Sequence, residues 1–217
     1  MAPRPFAAET LLAAQPHAAR HLLGAVLVHR TSEGTTSGII VETEAYCESD
    51  PASHTFGGST PRNQIMFGRA GHAYVYFTYG IHWCFNVVTG PEGRGEAALI
   101  RALQPLTGLA LMARRRGVAL PGGSSAQLIR LAPEDRAVQR ALTALCSGPA
   151  KLTQAMGLDG RVYGTWLLTR RGTPRLRAPE RPVPATRIVA TPRIGIRKAT
   201  AKPWRFHLAE NPYVSRP

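Results

Sequence analysis

The sequence predicts an α+β fold built on an antiparallel, curved sheet. Strand patterns outnumber helical ones in the middle of the chain, helical patterns gather toward its ends, and two strand pairs are separated by short glycine-containing turns. With 217 residues, 44% hydrophobic and 18% charged, the chain can bury a sizeable core, and no repeat divides it. One domain over 1–217 is expected, with 1–5 flexible and 117–125 and 170–184 as loops.

Phe6 to Leu23 has helical character in two pieces, because Pro16 lacks the donor that a continuous helix needs, and Gly24 is a stop. Ala25 to Arg30 and Thr35 to Tyr46 read as strands joined by the turn Thr31-Ser32-Glu33-Gly34, a hairpin. Side chains alternate along a strand, so Glu42, Glu44 and Tyr46 share one face while Val41, Thr43 and Ala45 share the other. From Cys47 to Gly71 turn residues dominate, the mark of a long shaped loop of the kind that often carries function.

Ala73 to Tyr79 and His82 to Val88 alternate again around a tight turn at Gly80, which puts Tyr79 at a hairpin tip. Glu96 to Ala102 is a short strand with Leu99 and Arg101 on one face. Leu106 to Arg116 is expected to be helical, with Arg114-Arg115-Arg116 suiting a helix C-terminus. Gly117 to Ser125 looks like a mobile loop. Pro133 to Leu145 reads as a helix with an acidic first turn, and a further helix runs from Ser147-Gly148-Pro149 to Gly157. Val162 to Thr169, Ala185 to Ala190 and Trp204 to Ala209 are strand candidates, with the Arg- and Pro-rich stretch Arg170 to Pro184 between them.

The charge balance narrows the partner. With 27 Lys+Arg against 13 Asp+Glu the net charge is +14, a field suited to a polyanion such as nucleic acid. A membrane surface would need a basic amphipathic helix or an apolar span, and the sequence offers neither. The three cysteines, Cys47, Cys84 and Cys146, lack paired spacing and point to a reducing compartment without a zinc site. With no signal sequence, the expected location is the cytoplasm, associated with the nucleoid, or the nucleus of a eukaryote.

In so basic a chain the acidic run Glu42, Glu44, Glu48 and Asp50 is out of character, and Glu44 is the candidate catalytic base. Tyr46, Tyr76 and His54 could wall a pocket for a planar ring, with the carboxylate beside it to activate water and Tyr79 to fill the gap left by an extruded base. Taken singly, each has a plainer reading: Glu44 as the partner of a surface Arg, the tyrosines as strand packing, Tyr79 as a hairpin cap. No HExxH or comparable spacing supports a metal hydrolase, and the glycines before Lys151 are misplaced for a phosphate loop. Neither a metal nor a cofactor is expected.

Considered together, Val-Glu-Thr-Glu-Ala-Tyr at 41–46, His54, Thr60-Pro61-Arg62-Asn63, Tyr74-Val75-Tyr76, Tyr79-Gly80, Asn86, Leu99-Ile100-Arg101-Ala102-Leu103, Ser147-Gly148-Pro149 and Arg193-Ile194-Gly195 resemble, in order and spacing, the alkyladenine (3-methyladenine) DNA glycosylase family. The resemblance runs from about residue 8 to the C-terminus. It implies a compact single domain with a protruding hairpin, and a monomer that excises damaged purines from double-stranded DNA.

By that resemblance Glu44 matches the general base, and Arg101 and the carbonyl of Ile194 match groups that hold the attacking water. Tyr46, His54 and Tyr76 match the pocket that sandwiches the flipped base, with a main-chain contact at His54 reading its edge and Leu99 as a further wall. Asn86 matches the residue that crowds the exocyclic amine of guanine, and Tyr79 matches the wedge. Ile81, His82, Lys151, Arg193 and Gly195 are the further DNA-binding candidates. Nothing marks Lys151 as a desolvated amine, so a monofunctional glycosylase is expected rather than a lyase. No residue is identified as an acid for neutral leaving bases. The competing class is a non-catalytic nucleic-acid binder such as a damage sensor, which accounts for the charge but not for a carboxylate among aromatics.

Overall fold

The structure, a computed structural model, describes residues 4–216. Eight antiparallel strands form one curved, open sheet: β1 (Val26–Thr31), β2 (Gly34–Tyr46), β3 (Ala73–Thr78), β4 (His82–Val88), β5 (Ala97–Thr107), β6 (Arg175–Arg177), β7 (Ile188–Thr191) and β8 (Arg205–Leu208). The order along the sheet is β3-β4-β5-β2-β1-β6, with β8 against the second half of β2 and β7 outside it. The helices described are α1 (His17–His21), α2 (Leu109–Arg116), α3 (Ser125–Leu131), α4 (Arg136–Cys146) and α5 (Pro149–Met156).

The alternation of β2 decides which face is core. Val41 and Ala45 join Ile100, Ala102, Leu142 and Leu152 in the apolar cluster beneath the helices. Thr43, on that same face, donates its hydroxyl to the Ala19 carbonyl at 2.9 Å, which satisfies the one polar group there. The opposite face carries Glu42, Glu44 and Tyr46. Helix α4 is capped by Asp135, whose side chain accepts from the N–H groups of Ala137 and Val138, and α3 by a capping box of Ser124 and Gln127.

The N-terminal helical stretch is in two pieces as expected, the 3-10 turn Ala8–Leu11 and α1, and the first hairpin, the β3–β4 hairpin, α5 and β8 lie where the sequence placed them. Elsewhere the boundaries move. Strand β5 runs on to Thr107, so the helix expected from Leu106 begins at Leu109; Pro105 is tolerated within the strand because the ladder to β2 is irregular opposite it, at Ser37 and Gly38. Helix α3 was not anticipated, and the acidic pair Glu134 and Asp135 precedes α4 rather than forming its first turn.

Val162 to Thr169 is not a strand. Gly164, at φ +74°, turns the backbone, and the segment makes scattered bonds to Gly71, Ala73 and Leu176 and a bridge from Trp166 to His72 rather than a ladder. Ala185–Arg187 is a 3-10 turn, so the strand there starts at Ile188. Within the expected loop 170–184, Arg175–Arg177 pairs with β1 because Leu176 reaches the core. Of the expected flexible end, 1–3 lie outside the described residues; Arg4 accepts from the Ala178 N–H, and Pro5 bridges to Arg177.

Candidate active site

The site is a transverse row of the sheet. Strand pairing aligns Tyr74 with Asn86, Asn86 with Leu99, Leu99 with Glu44 and Glu44 with Arg205, so residues from five strands converge on one face. Arg101 joins them through an irregularity. Thr43 pairs with Ile100 and Glu42 with Ala102, which leaves Arg101 as the extra residue of a bulge, a device that re-aims a side chain. Its guanidinium reaches both carboxylates, with Nε 3.2 Å from Glu42 Oε1 and Nη1 3.3 Å from Glu44 Oε1.

Glu44 is fully buried. Its Oε1 accepts the Ile194 N–H at 2.7 Å and its Oε2 accepts the Tyr46 hydroxyl at 2.8 Å. A carboxylate offers about four acceptor positions, and two are engaged by hydrogen bonds from Ile194 and Tyr46, with the Arg101 charge paired beside Oε1. The Ile194 N–H thus binds the carboxylate itself, a contact separate from the water-holding role that the resemblance gives to its carbonyl. Burial and then the Glu44 charge push the Tyr46 phenol far above its ordinary pKa, so it stays a donor.

Glu42, which had no assigned role, ties the site together. It accepts Arg205 Nε at 2.7 Å, the Ser215 N–H at 2.7 Å and the Ser215 hydroxyl at 2.9 Å, besides its pair with Arg101. Burial favours its neutral form, but the Ser215 N–H and the two guanidinia outweigh that and hold its pKa below the ordinary carboxylate value. The rest of the acidic run is likewise paired: Glu48 with Arg94 at 3.5 Å, and Asp50 with Arg193 and Lys202.

Beside Glu44 opens a pocket of about 160 Å³. Tyr46, His54, Tyr76 and Asn86 line it, as does Tyr79 at its rim. The His54 and Tyr76 rings meet edge to face at 4.5 Å, and His54 Nδ1 lies 2.8 Å from the Tyr74 hydroxyl. Desolvation and then the Arg62 guanidinium lower the His54 pKa, favouring the neutral ring. Burial and then Cys84 raise Tyr76, and burial raises Tyr74 to about 12, so these two phenols remain neutral. Asn86 Nδ2 donates to the Tyr74 carbonyl at 3.0 Å, and Asn63 Nδ2 donates to the His54 carbonyl at 2.8 Å, fixing the loop that carries the histidine.

Leu99 is buried between Glu44 and Asn86 and is not among the lining residues; Ala52, Ser53, Met66, Ala97 and Ile196 are. These small or aliphatic walls carry no sequence signal.

The hairpin tip presents two exposed apolar side chains, Tyr79 (82% exposed) and Ile81 (74%). Tyr79 and Gly80 both have positive φ, 51° and 67°, and the Ile81 N–H donates to the Thr78 carbonyl, a turn that matches strand twist but is rare for an aromatic residue. His82 is half-buried, with its ring 6.3 Å from that of Tyr79. Lys151 and Gly195 are exposed.

Arg193 is not a surface contact. It is 5% exposed, donates to the Ala45 carbonyl at 2.8 Å, pairs with Asp50 and lies over the rings of Tyr46 and Trp204 at 4.6 and 5.4 Å. The buried carboxylate holds it inside, where it carries the backbone that delivers the Ile194 N–H to Glu44. Nor are Arg114 and Arg115 free: both pair with Glu33 of the β1–β2 turn, at 2.5 and 2.7 Å. Among the described residues no group of three or more His, Cys, Asp or Glu side chains could hold a metal ion, and no helix is long and apolar enough to cross a membrane.

The chain is similar to known proteins along most of its length. The model of the family described as Methylpurine-DNA glycosylase (MPG) matches residues 10–212. A candidate 3-methyladenine DNA glycosylase of Methanoculleus marisnigri is 48% identical over 91% of this chain and 92% of its own length. Proteins of the same name from Rhodopseudomonas palustris and Carboxydothermus hydrogenoformans are 46% identical over 92% of this chain and 82% of theirs, and 43% identical over 99% and 98%, respectively.

Proposed function

The chain belongs to the methylpurine-DNA glycosylase family, and from that premise we propose that it hydrolyses the N-glycosidic bond of damaged purines flipped out of duplex DNA, with Glu44 activating the water. The observation that carries this reading is the placement of Glu44: a buried carboxylate, fixed by two hydrogen bonds and an ion pair, bonded to a phenol that is itself a wall of the aromatic pocket.

Cleavage passes through an oxocarbenium-like transition state, in which a fixed carboxylate can stabilise positive charge and orient water at once. Glu44 keeps acceptor positions for the water's proton, and Arg101 steadies the carboxylate by pairing with Oε1. The pocket takes the purine between Tyr46, His54 and Tyr76, whose faces favour a ring made cationic by alkylation at N3 or N7. Such a ring leaves without further protonation, so 3-methyladenine and 7-methylguanine need no acid. Hypoxanthine and ethenoadenine are neutral, and among the lining groups none stands out as their acid. Asn86, pinned to Tyr74, crowds the exocyclic amine of guanine.

Extrusion costs a few kcal/mol, least for damaged or mismatched pairs. Tyr79 offsets it by filling the vacated stack, with Ile81, His82 and Lys151 against the duplex. The product is an abasic site. The decisive assay incubates the chain with duplexes bearing 7-methylguanine, hypoxanthine or ethenoadenine, then cleaves abasic sites with alkali. Strand breaks at the lesion are expected; binding without product from any lesion would leave a damage sensor instead.

A further inference from the structure

At the end of the sheet opposite the β3–β4 hairpin, a cavity of about 380 Å³ is lined by Arg4, Arg170, Arg171, Arg175 and Arg177, with Thr169 and Pro5 completing it. The alternation of β6 creates half of this set. Leu176 faces the core, fully buried, so Arg175 and Arg177 project together to the other side. Arg4 is brought in by the bond from the Ala178 N–H to its carbonyl.

Several arginines elsewhere are answered by acids: Glu33 for Arg114 and Arg115, Asp159 for Arg161, Glu42 for Arg101 and Arg205, Asp50 for Arg193. None of the five cavity arginines has such a partner among the described residues, and the lining contains no carboxylate. Moreover, Arg175 Nε is buried without any hydrogen-bond partner, a donor that costs free energy while it stays unpaired. Burial, Arg177 and Arg30 all act to lower the Arg175 pKa, as expected for like charges held together without a counter-ion.

We propose that this arginine cavity is a second anion site, one that binds clustered phosphate groups apart from the pocket that takes the damaged base. Several planar forks converging on a concave space suit the oxygens of a polyphosphate, to which arginine binds in bidentate fashion. The same chemistry is offered by a free polyphosphate and by adjacent phosphates of a nucleic-acid backbone, and the experiment separates them.

The full chain is titrated calorimetrically with inorganic pyrophosphate at fixed ionic strength. It is compared with Arg170→Ala/Arg171→Ala, two exposed loop positions, and with Arg136→Ala/Arg140→Ala, which removes the same charge from α4. Saturable binding that weakens about tenfold or more in the loop variant alone supports a free polyphosphate as occupant. A second arm measures an undamaged duplex by anisotropy across salt. If pyrophosphate does not saturate but the loop variant alone loses duplex affinity, with a salt slope smaller by about two, the occupant is the backbone. Equal losses in both variants, or no loss in either arm, overturn the site.

Discussion

Replacing Glu44 by Gln and, separately, Glu42 by Gln removes one charge from the same face of β2, yet the two variants are expected to fail differently. Glu42 lies between two guanidinia whose side chains are 8% and 5% exposed, and it also takes two bonds from Ser215. Breaking a buried pair by removing one partner costs about 3–5 kcal/mol, a large share of a typical stability of about 5–15 kcal/mol. At Glu44, Gln keeps an acceptor for the Ile194 N–H, Tyr46 can turn to accept from the new amide, and Arg101 retains Glu42. The stability loss there is expected to be about 1–2 kcal/mol. Excision, however, loses the base, worth about 10²–10⁴ in rate, and with it charge stabilisation of the transition state. Urea unfolding followed by tryptophan fluorescence gives the first quantity, and single-turnover excision from a lesion-bearing duplex the second. Glu44→Gln retaining a rate within tenfold of the parent, or the two variants unfolding at the same urea concentration, would refute the assignment of chemistry to one carboxylate and scaffolding to the other.

Four further outcomes are expected. Because the folded pKa of Glu42 is depressed, its contribution to stability is present above the unfolded value of about 4.3 and is lost as pH falls through the folded value; urea midpoints between pH 6 and 3 should therefore fall less steeply in Glu42→Gln than in the parent. Tyr79→Ser, at a position 82% exposed, should leave stability unchanged but remove about 1–3 kcal/mol of stacking from lesion binding. Fluorescence of a flipped etheno base reports it, and an unaltered signal would reduce Tyr79 to a hairpin cap. Arg193→Leu leaves the buried Asp50 only its longer contact to Lys202 and should cost about 3–5 kcal/mol in unfolding, whereas a phosphate contact would leave stability alone and weaken only DNA binding. Affinity for duplex should fall steeply between 50 and 200 mM salt, and a flat profile would deny an extended basic footprint.

The sequence shows the site's cast more clearly than its supports. The alternation of residues 41–46 is enough to put Glu42, Glu44 and Tyr46 on one face, and the glycine after Tyr79 is enough to place that ring at a tip, because both depend on local geometry. The partners of Glu42 could not be read that way: Arg205 and Ser215 lie 163 and 173 residues away, and only the completed sheet brings them in. Arg193 misleads for the same reason. The resemblance makes it a DNA-binding candidate, and the carboxylate that claims it is 143 residues distant. The bulge at Arg101 leaves no mark in composition either, since it arises from the register between β2 and β5. Val162 to Thr169 has strand-forming residues, but Gly164 turns the chain before a ladder can grow.

The span of the Glu42 contacts also sets when the enzyme can exist. A ribosome delivers about 5–20 residues each second, and β2 emerges long before the segment carrying Arg205 and Ser215. Until that segment arrives, Arg101 and its two carboxylates lack their closing strand and the N–H that anchors Glu42. A nascent chain caught midway on the ribosome would carry Glu44 and most of the base pocket, yet it would have neither Arg205 beside β2 nor Ile194 on the carboxylate. By the proposed mechanism, the carboxylate is therefore fully held only once the late strands have docked.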